Sequence, residues 1–302
     1  MSTARHVPET NHLSGDNAWE TLRTTGRLNL IRDAVIRLRA ADGFSHSRSL
    51  AFATSLVMVQ GVVVLVGISV AFGQTELNRT IFAAIESAVP GPTSGLLMNA
   101  LTQARRVGLE RPALPLLVGL VGTLVTASTA TGQIIRGINR IYGIENDGPF
   151  IQKYARAFLL AVVVLLAMVG AGVALTAGGD LSGTAGRGGV HAWRFVRWPL
   201  ALGMTTAAVA GLLRWAPRRR QPRWSWLMLG GVIAVGGWTL MTAAFAVVFR
   251  VSSTFGQVYG PLAGLVALQL WTFFSAVAVF FGVSVAAQLE AVRSGAGDRP
   301  RA

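Results

Sequence analysis

Two runs without a single Asp, Glu, Lys or Arg lie near the C-terminus: Trp226–Phe249, 24 residues, and Leu262–Leu289, 28 residues. The short hinge Arg250–Pro261 joins them. At about 1.5 Å rise per residue, each run as a helix exceeds the roughly 30 Å hydrocarbon core of a bilayer. Lipid offers no partner to backbone N–H and C=O groups, so such a run crosses as a helix that pairs them internally. The chain therefore ends in a transmembrane helical hairpin.

The rest of the composition agrees. Of 302 residues, 52% are hydrophobic and only 13% charged, and the mean hydropathy is +0.52. This is the profile of an all-α, polytopic membrane protein. Four further spans are expected before the hairpin, at residues 50–72, 113–135, 157–179 and 198–213, which with 226–249 and 262–289 makes six transmembrane helices. The fourth is short, but Trp193, Trp198 and Trp215 serve as interfacial anchors and the flanking arginines can reach the headgroups. The first apolar run begins near Leu50, behind a long polar segment, so a retained helix is expected there rather than a cleaved signal peptide.

A net charge of +14 would suggest nucleic acid in a soluble protein. Here its distribution points to topology. With six spans, nineteen of the 27 Lys and Arg residues fall on the side of the two termini and eight on the other. This bias places both termini in the cytoplasm of a bacterial cytoplasmic (inner) membrane. The same side holds the tract Arg214–Arg223 with Trp215, Trp224 and Trp226, which suits anionic lipid headgroups; no nucleic-acid partner is expected.

Residues 1–16 lack periodicity and are expected to form a disordered cytoplasmic tail, 17–292 the membrane domain, and 293–302 a second tail. Within 17–40, Leu28, Ile31, Val35 and Leu38 recur at helical spacing, with Arg27, Arg32, Arg37 and Arg39 largely between them. The pattern fits an N-terminal amphipathic helix in the membrane interface, or equally one packed on the cytoplasmic ends of the bundle. The connection Gly73–Pro112 is expected to hold two short amphipathic helices around Pro90-Gly91-Pro92.

Chemistry is sparse. His6, His12 and His46 are separated from His191 by the bilayer, cysteine is absent, and no metal-ligand spacing occurs. All thirteen carboxylates lie outside the spans except Glu290, at the end of the sixth. Lys153 has no glycine loop around it, so a nucleotide-binding P-loop is excluded. Neither an enzyme nor a cofactor is expected, and transport would not be driven by ATP.

Polarity inside the spans is uncharged: Gln60 in the first, Ser128, Thr129, Thr131 and Gln133 in the second, Gln269 in the sixth. Gln60, Ser128, Gln133 and Gln269 are candidates to line a groove for a lipid headgroup, or else hydrogen bonds that fix packing. The dense glycines read first as helix–helix packing surfaces.

Three pieces carry a likeness to a known family. They are Leu50-Ala-Phe-Ala-Thr54; Gly137-Ile-Asn-Arg-Ile-Tyr-Gly143 followed by Pro149-Phe150; and Gln257-Val-Tyr-Gly-Pro-Leu-Ala-Gly264 leading to Leu270-Trp271. In this order the chain, over roughly 20–292, resembles the YihY/BrkB family of inner-membrane proteins, once labelled ribonuclease BN. Two positions depart from the family: Gln60 stands where many members have proline, and Val283-Ser284 follow Gly282 where an acidic residue often does. The resemblance implies a six-helix envelope protein and, by motif match, marks Asn139, Tyr142, Gln257, Tyr259, Gly260 and Gly264. It implies a link to envelope integrity and lipid movement. Three functions follow as expectations: handling of lipids or lipid-linked molecules between leaflets, a non-transporting scaffold for envelope enzymes, and, least, RNA cleavage. Membrane lipids are the expected partners; a second copy of the chain and envelope proteins stay open.

Overall fold

In a computed structural model, the structure is described for residues 4–71, 83, 85, 86, 89, 91–111, 113–146, 148, 149, 151, 152, 154–160, 162, 186–251, 258, 259 and 262–296. These residues form helices and connections, with no strand among them. The principal helices are α1 (Gly15–Thr25), α2 (Arg27–Ala40), α3 (Gly43–Ala71), α4 (Pro92–Glu110), α5 (Ala113–Ile141), α6 (Gly186–Trp215), α7 (Trp224–Val251) and α8 (Ala263–Arg293). Among the described residues, five stretches are long and apolar enough to cross a membrane: Gly43–Val70, Ala113–Ile141, Phe195–Trp215, Trp224–Val251 and Ala263–Arg293. The third expected span, 157–179, lies largely outside the described residues, although 154–160 is helical.

The stretch expected to be short is not. Its apolar part begins at Phe195 and runs 21 residues, about 32 Å as a helix. Arg197, which the sequence reading took as its boundary, stands inside the helix with its guanidinium 6.0 Å from the Trp198 ring. A cation at the rim of a span can reach out to the headgroups, so it need not end the helix.

α8 is the central post. In its most apolar window 61% of residues are buried, against 11% for its hairpin partner α7. Contact between the two depends on glycine: a Cβ on Gly282 would lie 2.5 Å from the Gly230 carbonyl oxygen, so the backbones nearly touch. The α3–α5 pair uses the same device at Gly67, where a Cβ would lie 2.7 Å from the Leu116 backbone. In lipid such close approach gathers the dispersion contacts that hold helices together.

Two cores lie at opposite ends. α4 packs Leu97, Leu101 and Ala104 on Val62 and Val66 of α3, which bears out the second of the two amphipathic helices expected before Pro112. Pro92 occupies its first turn, where the missing N–H costs nothing. The first expected helix falls mostly outside the described residues. The larger core lies at the arginine-rich end and gathers Leu30, Ala34 and Leu38 of α2 with Ile138, Ile141, Leu213, Leu227, Phe280, Val283 and Leu289.

At this end the expectation of a disordered tail over 1–16 does not hold for residues 4–16. Val7 and Leu13 are buried in the core. Val7 N–H donates to the Tyr142 carbonyl (3.2 Å), Arg223 N–H to the Leu13 carbonyl (3.1 Å), and Gly15 N–H to Ser225 Oγ (2.9 Å). Each buried aliphatic contributes about 1.5–3 kcal/mol against roughly 1–2 kcal/mol per residue of ordering entropy. The side-chain and backbone bonds along the strap therefore matter to the balance.

Of the two placements left open for α2, the structure shows packing on the bundle, with a second face left exposed. Leu30, Ala34, Arg37 and Leu38 face the protein, while Leu28 (83% exposed), Ile31 and Val35 face outward.

Candidate functional site

Five segments converge at the arginine-rich end. The last turns of α8 supply Gln288 and Glu290, the end of α5 supplies Asn139 and Tyr142, and α2 supplies Arg37. The α6–α7 connection brings Arg218, Arg219 and Gln221, and the N-terminal strap brings Thr10.

Glu290 and Arg219 form the centre. Arg219 Nη2 stands 2.5 Å from Glu290 Oε1, with the two side chains 2% and 0% exposed. Thr10 donates its hydroxyl to the same carboxylate oxygen. Arg219 also donates to the carbonyls of Val7 (3.3 Å) and Pro8 (2.9 Å), and its guanidinium lies 4.5 Å from the Tyr142 ring centroid. Arg37 donates to Gln288 Oε1 (2.9 Å) and to the carbonyls of Arg5 (3.0 Å) and Ile141 (3.1 Å). Two guanidiniums are thus held between one carboxylate, one amide and four carbonyls. Burying such charges is tolerable only with this degree of satisfaction.

Burial, followed by the nearby Glu290 charge, pushes the Tyr142 phenol well above its ordinary range. Burial also draws Arg37 below its ordinary value, while Tyr142 and Glu290 act to raise it. The Tyr142 hydroxyl lies beside the Gln221 amide, short of full hydrogen-bond geometry.

Four positions of the stretch Gly137–Gly143 have defined contacts. A Cβ on Gly137 would lie 2.5 Å from the Phe280 ring. Asn139 Oδ1 accepts the Arg218 N–H at 3.0 Å and so pins the α6–α7 connection. Tyr142 is the fully buried floor under Arg219. Gly143 has φ +72° and ends α5 with Ile144 N–H donating to the Asn139 carbonyl (2.8 Å), a left-handed helix stop that favours glycine. A Cβ there would also lie 2.7 Å from His6 Cα, so the same glycine admits the strap.

The other sequence candidates lie apart from this network. Gln60 Oε1 accepts the Thr126 hydroxyl at 2.7 Å, across the α3–α5 contact. Ser128 donates to its own helix at the Leu124 carbonyl (2.7 Å). Gln133 and Gln269 are half-buried on α5 and α8. Gly264 packs at the far end of α8, where a Cβ would lie 2.9 Å from Leu96 Cβ. Tyr259 is exposed, and Gln257 and Gly260 lie outside the described residues.

Sequence reasoning missed Thr10, Arg37, Arg219, Gln221, Gln288 and Glu290 as a group. One signal was available: Glu290 ends an uncharged run, where a lone carboxylate needs a cation.

Residues 34–302 match the family described as Virulence factor BrkB. The chain is similar to a UPF0761 membrane protein of Methylibium petroleiphilum, 27% identical over 89% of this chain and 64% of that protein. A UPF0761 membrane protein of Ralstonia nicotianae is 26% identical over 89% and 60%. The chain thus spans about three-fifths of these two relatives. YfkH of Bacillus subtilis, whose name calls it ribonuclease-like, is 21% identical over 87% of this chain and 95% of its own length. No solved structure matches. The match over nearly the whole chain, on a bundle of apolar helices, places this membrane protein in the BrkB virulence factor family.

Proposed function

We propose that this protein is a non-enzymatic component of the bacterial cytoplasmic membrane, with both termini in the cytoplasm. In this reading it supports the envelope by handling lipids or lipid-linked molecules, moving them between leaflets. The observation that carries the reading is the double-sided α2. One face is fixed in the bundle through Leu30, Leu38 and Arg37, and the other presents Leu28, Ile31 and Val35 outward beside Arg32 and Arg39. Apolar side chains flanked by arginines are the chemistry of the boundary between headgroups and acyl chains. Reconstitution into liposomes with leaflet-specific labelled lipids tests it. Accelerated exchange is expected; equal exchange with and without the protein, across several lipid classes, removes the reading.

The scaffold reading draws on a different observation. Most interior glycines are consumed by packing, but Gly61, Gly203 and Gly236 have no atom of the described residues within 4 Å of a built Cβ. These sites leave room for a partner helix, and stable partners in a detergent pull-down would support them. The ribonuclease-like name of one relative supplies the third reading. Arg218 and Arg220 are the substitutions to test it, because Arg219 is committed to Glu290.

A further inference from the structure

Asn11, Arg214, Trp215, Arg220 and Gln221 line an open pocket of about 360 Å³, a volume within the roughly 300–1,000 Å³ of small-ligand sites. Its walls come from the strap, the last turn of α6 and the α6–α7 connection. Arg214 and Trp215 close the apolar stretch Phe195–Trp215, and Trp224 opens the next one. The Trp215 and Trp224 rings pack edge to face at 5.3 Å. Tryptophans at span ends sit at headgroup level, so the pocket opens there.

Its lining has one charge sign. Arg214 donates to the Pro222 carbonyl (2.9 Å) and lies 5.9 Å from the Trp224 ring, contacts that orient its charge without neutralising it. Arg220 is exposed and forms no ion pair among the described residues. Gln221 is only 8% exposed, and its amide lies beside the Tyr142 hydroxyl without full hydrogen-bond geometry. It is a neutral donor lining the same pocket as two arginines.

We propose that this pocket binds a phosphate-bearing group. Arg214 and Arg220 supply the charge, Gln221 and Asn11 supply amide donors, and Trp215 supplies the surface for the apolar part of a lipid. A membrane lipid headgroup and free phosphate are the two sources of that chemistry. The site deepens the lipid reading above without needing translocation. Asn11 follows Thr10, the donor to Glu290, so a ligand in the pocket also holds the strap down.

The test titrates purified protein in neutral detergent with dioleoylphosphatidylglycerol, with dioleoylglycerol and with inorganic phosphate, reading native mass and melting temperature. Phosphatidylglycerol is retained and raises the melting temperature, and the neutral diacylglycerol does neither. Arg220→Gln weakens retention about fivefold, since one arginine at a membrane surface is worth roughly 1 kcal/mol. Arg293→Gln, whose partner is the exposed Glu20 at 2.9 Å, leaves retention unchanged. A response to phosphatidylglycerol alone assigns the site to lipid, and a response to inorganic phosphate alone assigns it to the free anion; either sustains the phosphate chemistry. Equal retention of the charged and neutral lipids with no response to phosphate, or wild-type binding by Arg220→Gln, overturns it. Absent leaflet exchange with phosphatidylglycerol still retained removes only the translocation reading.

Discussion

Thr10 donates its hydroxyl to Glu290, 280 residues further along the chain. The bond joins the N-terminal strap to the last turn of the central helix, over a buried ion pair. It makes the arginine-rich end a closed structure rather than a set of loose helix ends.

Because that ion pair is buried, its two halves are unequal to remove separately and together. Glu290→Gln leaves Arg219 buried without its counter-charge, and a loss of about 3–5 kcal/mol is expected. Arg219→Met combined with Glu290→Leu recovers much of it. Thermal unfolding in detergent measures both; a double variant as unstable as the sum of the singles would contradict the pairing.

Tyr142 gives the alkaline limit. Its phenol is raised in the folded protein by burial and by Glu290, while in the unfolded chain it loses its proton near pH 10. Above that pH unfolding releases a proton, so stability present below pH 10 falls as pH rises further. Tyr142→Phe is expected to match wild type at pH 7 and to lose less between about pH 10 and 11. Identical alkaline losses would remove the assignment.

Glycine positions separate packing from spare surface. Gly282→Ala places a methyl 2.5 Å from the Gly230 carbonyl, whereas Gly236→Ala meets nothing within 4 Å among the described residues. Overpacking costs about 1–3 kcal/mol, so only the first lowers the melting temperature. Equal effects would show that α7 and α8 do not meet at Gly230 and Gly282.

How much of this was legible beforehand differs by element. Charge-free runs revealed the hairpin because lipid imposes length and apolarity locally, residue after residue. The α4 helix was legible from its Leu spacing and Pro92. By contrast, the strap's anchors Val7 and Leu13 are single residues whose partners lie far along the chain, so composition read it as disordered. Arg219 looked like one member of a surface cluster at Arg218–Arg220, and only the fold turns it inward to Glu290. Asn139 and Tyr142 were marked by resemblance alone; geometry shows what each touches.

Gln60 decides between packing and lining. Its bond to Thr126 predicts a coupling near 0.6 kcal/mol, an average interhelical value, in a Gln60→Leu and Thr126→Val cycle. Lipid exchange is expected to be unaffected by either variant. Loss of exchange with stability intact would instead make Gln60 part of a path.

The docked strap is tested most directly by thiol labelling, since the chain has no cysteine to interfere. Val7 is buried and Pro8 exposed, so in native protein Val7→Cys should react with a water-soluble maleimide far more slowly than Pro8→Cys, and the difference should vanish on unfolding. Equal, fast labelling at both positions in the native state would mean that nothing closes over Arg219 and Glu290.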